Sequence, residues 1–190
     1  VELAVICTRP QAVPLIVEQC GRSGIKNVIV ITSGFAEAGH SGAALERKML
    51  EIARSYNVRV LGPNCLGIIR PLLGLNATFA KVTANVGNLA LVSQSGAMCA
   101  AVLDWAKSNN VGFSSVISLG STADVDFGEI LDYLIYDSRT HYILMYVEGI
   151  RNSRRFMSAL RSAARIKPII LLKAGRHEAG AMATATHSGM

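Results

Sequence analysis

Four short segments of this chain gather glycine and small polar residues around side chains that can hold, orient or accept charge. Ser93-Gln94-Ser95-Gly96-Ala97 lies between a short apolar run and a longer amphipathic one. At a strand-to-helix turn, the free N–H groups of the first helical turn and the macrodipole favour an anion. The same residues also read as an ordinary N-cap, with Ser93 or Ser95 as the capping side chain. Tyr146-Val147-Glu148-Gly149-Ile150 ends an apolar run in a carboxylate. A carboxylate placed there is poorly hydrated and needs a partner. A histidine is one natural candidate, because a carboxylate fixes the imidazole tautomer and raises the basicity of its other nitrogen.

Leu61-Gly62-Pro63-Asn64-Cys65-Leu66-Gly67 imposes a turned, rigid backbone after a strand, which structure alone could require. Nothing beside Cys65 in the sequence marks an activated thiol, so a nucleophilic role is not expected. The last segment, residues 175–189, is rich in Gly, Ala and Thr and carries His177 and His187. A histidine in such a loop is either structural or merely exposed. Near a strand-end carboxylate and a helix N-terminus it could instead carry a phosphoryl group.

Positioning these segments requires strands that end beside them. Residues 3–7, 28–32, 58–61, 89–92, 115–119, 142–147 and 168–172 are apolar runs of strand length. Residues 13–22, 43–56, 97–108, 127–136 and 153–165 carry apolar positions at helical spacing, with charges such as Glu46, Arg47 and Lys48 expected outward. Strand–helix alternation with fully apolar strands predicts parallel sheets covered on both faces, the doubly wound α/β class. Ligands in such folds bind at the carboxyl ends of strands, where all four segments fall. Residues 62–88 read as an irregular connection, too long for one compact sheet. The reading is therefore two α/β units, residues 1–86 and 87–190, and a piece of a longer polypeptide.

Composition narrows the classes. With 51% hydrophobic and 17% charged residues and a positive mean hydropathy, the chain is not a disordered tail. No apolar run reaches bilayer-spanning length and no basic leader opens the sequence, so a soluble cytoplasmic protein is expected. Cys7, Cys20, Cys65 and Cys99 form no CxxC pair, so no metal site is expected, and Cys7, Cys20 and Cys99 read as small buried hydrophobes. Between residues 151 and 176 lie eight basic residues and no acidic one, more than the whole net charge of +6. Without interleaved aromatics or a binding motif this block does not suggest nucleic acid. It reads as a solvated helix face, or as a patch for a phosphate-rich ligand or an acidic partner.

Gly62-Pro63-Asn64-Cys65-Leu66-Gly67, Ser93-Gln94-Ser95-Gly96-Ala97, Val147-Glu148-Gly149, the run from Lys167 to Arg176 and Thr186-His187-Ser188-Gly189 occur in that order. Together they resemble the NDP-forming acyl-CoA synthetases, the superfamily of succinyl-CoA synthetase α subunits and ADP-forming acetyl-CoA synthetases. Leu103-Asp104-Trp105-Ala106, Gly112-Phe113-Ser114, Leu131-Asp132-Tyr133-Leu134 and Arg155-Phe156-Met157 resemble in particular the synthetase-like region of bacterial protein lysine acetyltransferases.

The resemblance implies a partial Rossmann-like CoA-binding domain followed by a flavodoxin-like ligase domain ending near the His187 loop. It implies that His187 is transiently phosphorylated and Glu148 holds it. Ser93, Gln94, Ser95, Gly96 and Ala97 would cradle the phosphate, and Asn64 and Cys65 would lie beside the active site. Ser33, Gly34 and Phe35 are the candidate CoA contacts. ATP or ADP with Mg2+ would act through an ATP-grasp domain or subunit outside these residues, in an oligomer. A C-terminal Gcn5-related acetyltransferase domain is the partner implied by the alternative, a regulatory CoA- or acyl-CoA-sensing module. Ser121 departs from the asparagine of many relatives, and the glycine-rich CoA loop of the family is not among these residues.

Overall fold

The apolar runs assemble into two sheets whose strand ends meet at one cleft. The computed structural model describes residues 1–81 and 83–175. Strands β1 (Leu3–Ile6), β2 (Asn27–Val30) and β3 (Arg59–Leu61) form a parallel sheet in the order β1-β2-β3, connected by helices α1 (Val13–Arg22) and α2 (His40–Ser55). The second sheet has the order β5-β4-β7-β6-β8-β9. It is built from β4 (Gly67–Arg70), β5 (Leu75–Thr78), β6 (Asn85–Ser93), β7 (Gly112–Ser118), β8 (Tyr142–Val147) and β9 (Ile169–Lys173). Strands β6 to β9 pair in parallel, while β4 runs antiparallel to β5 and β7. Helices α3 (Gly96–Ser108), α4 (Phe127–Tyr136) and α5 (Ser153–Ala164) follow β6, β7 and β8.

Side-chain alternation along each strand decides which helix it meets. Ala90 and Val92 of β6 pack with Phe127, Leu131 and Phe156 of α4 and α5, whereas Leu91 packs with Cys99 and Leu103 of α3. Helices therefore cover both faces of the second sheet. The rings of Phe127 and Phe156 meet edge-on at 5.9 Å, a geometry worth about 0.5–1.5 kcal/mol beyond area burial. The first sheet is different. Val28, Val30 and Val60 face α1 and α2, but Ile29 and Leu61 belong to the core beneath α4 and α5. The second unit thus covers the face that the first unit's own helices leave open.

Each helix after the central strands starts at a side-chain cap. Ser95 accepts the Met98 N–H at 3.2 Å, Asp126 the Glu129 N–H at 3.0 Å, and Asn152 the Arg155 N–H at 3.0 Å. Such caps are each worth about 1 kcal/mol. Among the described residues, no helix is long and apolar enough to cross a membrane.

Three sequence expectations need correction. The irregular connection read at 62–88 contains β4 and β5, a hairpin turned through Pro71–Leu73. Four-residue strands holding Gly67, Arg70 and Asn76 carry too little apolar signal to register alone, and pairing with β7 supplies what pattern lacks. The strands of the second sheet therefore begin at Gly67. Glu46, read as outward, is 5% exposed, because it shares the inner face of α2 with Gly42, Met49 and Ala53. Cys7 is exposed, because β1 is the edge strand and ends at Ile6.

Candidate active site

The second sheet reverses its winding beside β6. Chain order runs from β6 to β7 on one side and then to β8 on the other, with α3 and α4 leaving on opposite faces. A crevice outside the carboxyl ends of the strands is the geometric consequence. A cleft of about 450 Å3 lies there, lined by residues from both units.

One wall is backbone. In residues 62–67 the Asn64 N–H donates to the Thr32 carbonyl at 3.0 Å, and the Leu66 N–H donates to Ser118 Oγ at 2.9 Å. The Pro63 carbonyl accepts the Ser121 N–H at 2.9 Å and the Gly62 carbonyl the Ala123 N–H at 3.0 Å. Asn64 adopts φ 55°, and the Gly62–Pro63 peptide is cis. Gly120 closes this wall at φ 56°, where a Cβ would lie 2.2 Å from the Pro63 oxygen and 2.4 Å from the Asn64 oxygen. Cys65 lines the cleft, but its thiol points to the Val30 carbonyl at 3.4 Å and burial pushes it up to about 12. It remains a thiol at neutral pH and is no nucleophile.

The other wall carries groups. Gln94 Oε1 accepts the N–H of Glu148 at 2.6 Å and that of Gly149 at 3.0 Å, so the end of β6 fixes the end of β8. Lys173 Nζ, from the end of β9, donates to the Glu148 carbonyl at 2.6 Å. Gly96 and Ala97 open α3 onto the cleft. The N–H groups of Met98 and Cys99 are taken by Ser95 Oγ and the Ser95 carbonyl, while those of Gly96 and Ala97 have no partner among the described residues. Among the described residues, Glu148 is the one acidic and Arg151 the one basic side chain on the lining.

The structure brings most of the sequence candidates together and separates others. Asn64, Cys65, Gln94, Gly96, Ala97, Glu148 and Ser33 share the cleft. Ser93 and Ser95 do not line it. Ser93 Oγ donates to the Ser95 carbonyl at 2.9 Å and accepts the Ser95 N–H at 3.0 Å, so both serines shape the turn, and the capping reading holds for Ser95. Phe35 is 0% exposed in the core beneath α1 and α2. Gly34 and Phe35 N–H groups are taken by Glu37 Oε1 at 2.6 and 3.2 Å. His187 and His177 lie outside the described residues. Sequence reasoning missed Gly120 and Arg151. The position of Arg151 three residues after Glu148 was a usable signal, hidden because it opens the basic block.

That block is not simply a solvated face. Arg151 pairs with Glu46 at 3.0 Å, and Arg155 pairs with Glu129 at 3.3 Å. Lys167 Nζ donates to the Asp137 carbonyl at 2.7 Å. Among the described residues, no group of three or more His, Cys, Asp or Glu side chains is arranged to hold a metal ion.

Residues 86–190 match the succinyl-CoA ligase like flavodoxin domain, and residues 1–71 match a CoA binding domain. The chain is 47% identical over 189 residues to the ADP-forming acetate–CoA ligase I of Archaeoglobus fulgidus, covering all of this chain and 28% of that protein. It is 43% identical to the α subunit of ADP-forming acetate–CoA ligase I of Pyrococcus furiosus, covering all of this chain and 41% of that subunit. The solved acetyl-coenzyme A synthetase 1 of Ca. Korarchaeum cryptofilum, in complex with phosphate and ADP, superposes with a TM-score of 0.93 at 41% identity, over all of this chain and 41% of that one. The chain thus spans less than half the length of these relatives. With both domain models matched in order on this fold, it belongs to the succinyl-CoA ligase-like family of the NDP-forming acyl-CoA synthetases.

Proposed function

We propose that this chain is the CoA-side and phosphoryl-transfer part of an NDP-forming acyl-CoA synthetase. The observation that carries the reading is the cleft where Gln94 fixes the Glu148 backbone beside the open N-terminus of α3. Residues 1–86 supply the CoA-facing side and residues 87–190 the phosphoryl-transfer side, although β4 and β5 pair with the second sheet. The ligase names of the relatives favour this over a regulatory module attached to a protein acetyltransferase.

The reaction interconverts acyl-CoA, NDP and phosphate with acid, CoA and NTP. Phosphate oxygen attacks the thioester carbonyl and CoA leaves as thiol, giving an acyl phosphate. The imidazole of His187 then takes the phosphoryl group as the P–O bond to the acyl oxygen breaks, and releases it to the NDP. Glu148 holds the ring and offsets the positive charge that develops on it. The phosphoryl oxygens need donors, and the Gly96 and Ala97 N–H groups with the α3 macrodipole suit them. The apolar lining of Ile31, Ala36, Leu66 and Ala100 suits the alkyl arm of a thioester, with Ser33 at its rim. Nucleotide is assigned to an ATP-grasp domain or subunit, and the naming of the Pyrococcus relative as an α subunit supports such a partner. Magnesium supplies charge neutralisation to nucleotide phosphates when bound there. The protein acts in the cytoplasm as part of an oligomer.

The test uses the full protein with labelled ATP and magnesium. An acid-labile, base-stable phosphate should appear, and His187→Ala should abolish it. Glu148→Gln should lower labelling by about 10-fold or more, because a neutral amide orients the ring without stabilising its charge. Equal labelling of wild type and His187→Ala would sink the phosphohistidine reading.

A further inference from the structure

Glu46 is a costly residue for the fold to keep. Its side chain is 6% exposed on the inner face of α2, and its Oε2 has no hydrogen-bond partner among the described residues. A buried carboxylate destabilises unless it is paired. Its partner is Arg151 of the other unit, whose Nη2 donates to Glu46 Oε1 at 3.0 Å. The Arg151 side chain is 44% exposed and lines the cleft. Guanidinium offers five N–H donors in a planar fork. Glu46 takes an Nη2 donor, and the other donors have no partner among the described residues.

Charge balance says what they meet there. A phosphate entering this cleft needs donors and positive charge. The α3 N-terminus offers only about half a unit of positive charge. Lys173 is committed to the carbonyls of Glu148 and Ala174, at 2.6 and 2.5 Å. Arg151 is the one basic side chain on the described lining. Its backbone follows the Glu148–Gly149 segment that Gln94 pins, so fork and carboxylate are held in one register.

We propose that Arg151 binds the reacting phosphate group, as inorganic phosphate or as the phosphoryl end of an acyl phosphate, and that Glu46 is a positioning residue that holds its guanidinium at the cleft. This rests on the synthetase reading for its chemistry and on the Arg151–Glu46 geometry for its place.

The full protein is titrated calorimetrically with inorganic phosphate and, separately, with CoA. Arg151→Met should weaken phosphate binding by about 10- to 100-fold, as loss of a charge-assisted fork requires. Arg151→Lys should recover part of it, and CoA binding should not change. Arg151→Met strands a buried Glu46, so Glu46→Gln/Arg151→Met, which removes both charges, is measured beside it and should bind phosphate as weakly. Glu46→Gln alone should raise the phosphate KM about threefold with the CoA KM unchanged, a split that a merely structural role would not produce. Unchanged phosphate affinity in the double variant, no phosphate binding by wild type, or a loss confined to CoA would each overturn the proposal. Arg151-dependent phosphate binding in a protein without acyl-CoA synthetase turnover would support it and remove the functional reading instead.

Discussion

The two walls of the cleft begin as similar sequences and end as different devices. Both are glycine-containing loops after apolar strands, 62–67 on one side and 93–97 with 147–149 on the other. The first is clamped through backbone atoms to Thr32, Ser118, Ser121 and Ala123, and its one thiol, Cys65, is buried and turned to the Val30 carbonyl. The second is held by a side chain, Gln94, and lines the cleft with the start of α3, a carboxylate and a guanidinium. A rigid wall excludes motion, and a wall pinned from behind presents charge. A phosphoryl-transfer site needs both, since preorganised donors cost no rearrangement when charge moves.

The comparison breaks most severely at Gly120. Gly120→Ala should destabilise the chain by about 3 kcal/mol or more, since backbone oxygens at 2.2 and 2.4 Å cannot yield and φ 56° disfavours a side chain. Urea unfolding reads the loss, and wild-type stability would show the wall to be softer than its hydrogen bonds imply. The presenting wall should fail more gently. Gln94→Ala leaves two N–H groups without their acceptor and should cost about 2 kcal/mol. Hydrogen exchange at the Glu148 and Gly149 amides should quicken while exchange in α1 stays unchanged. Uniform quickening would mean that Gln94 supports the whole fold.

Cys65 should give the smallest effect. Cys65→Ala should cost about 1 kcal/mol and leave histidine phosphorylation of the full protein intact. It should also alter the alkaline limb. Burial pushes both Cys65 and Cys99 up to about 12, so folding keeps these thiols protonated. That contribution is fully present below the unfolded value of about 8.5 and is lost as pH rises towards 12. Stability measured between about pH 9 and 11 should therefore fall less steeply in Cys65→Ala than in wild type. Identical slopes would mean that the thiol ionises in place.

Much of the scaffold was legible because its signals are local. Val13–Arg22, Phe127–Tyr136 and Tyr142–Val147 have the bounds that periodicity and β-branching predict. Glu148 stood out as a charge ending an apolar strand, and the α3 turn as serine and glycine ahead of a helical pattern. Strands β4 and β5 were hidden because short polar segments become strands only when a neighbour pairs with them. Glu46 was misread because a single helical period does not say which flank of α2 meets the other unit.

Chain pattern by itself determined the strand–helix alternation, the parallel sheets and which segments fall at strand ends, because each follows from the spacing of apolar residues within one element. Tertiary structure alone decided which strand-end groups face the cleft. Ser93 turned into its own loop, Phe35 into the core and Cys65 onto Val30, while Arg151 came out of a basic block to meet a carboxylate 105 positions earlier. The orientation of a side chain at a strand end depends on backbone donors and acceptors arriving from other strands. Those arrivals are set by packing across the two sheets, over separations that no local period records.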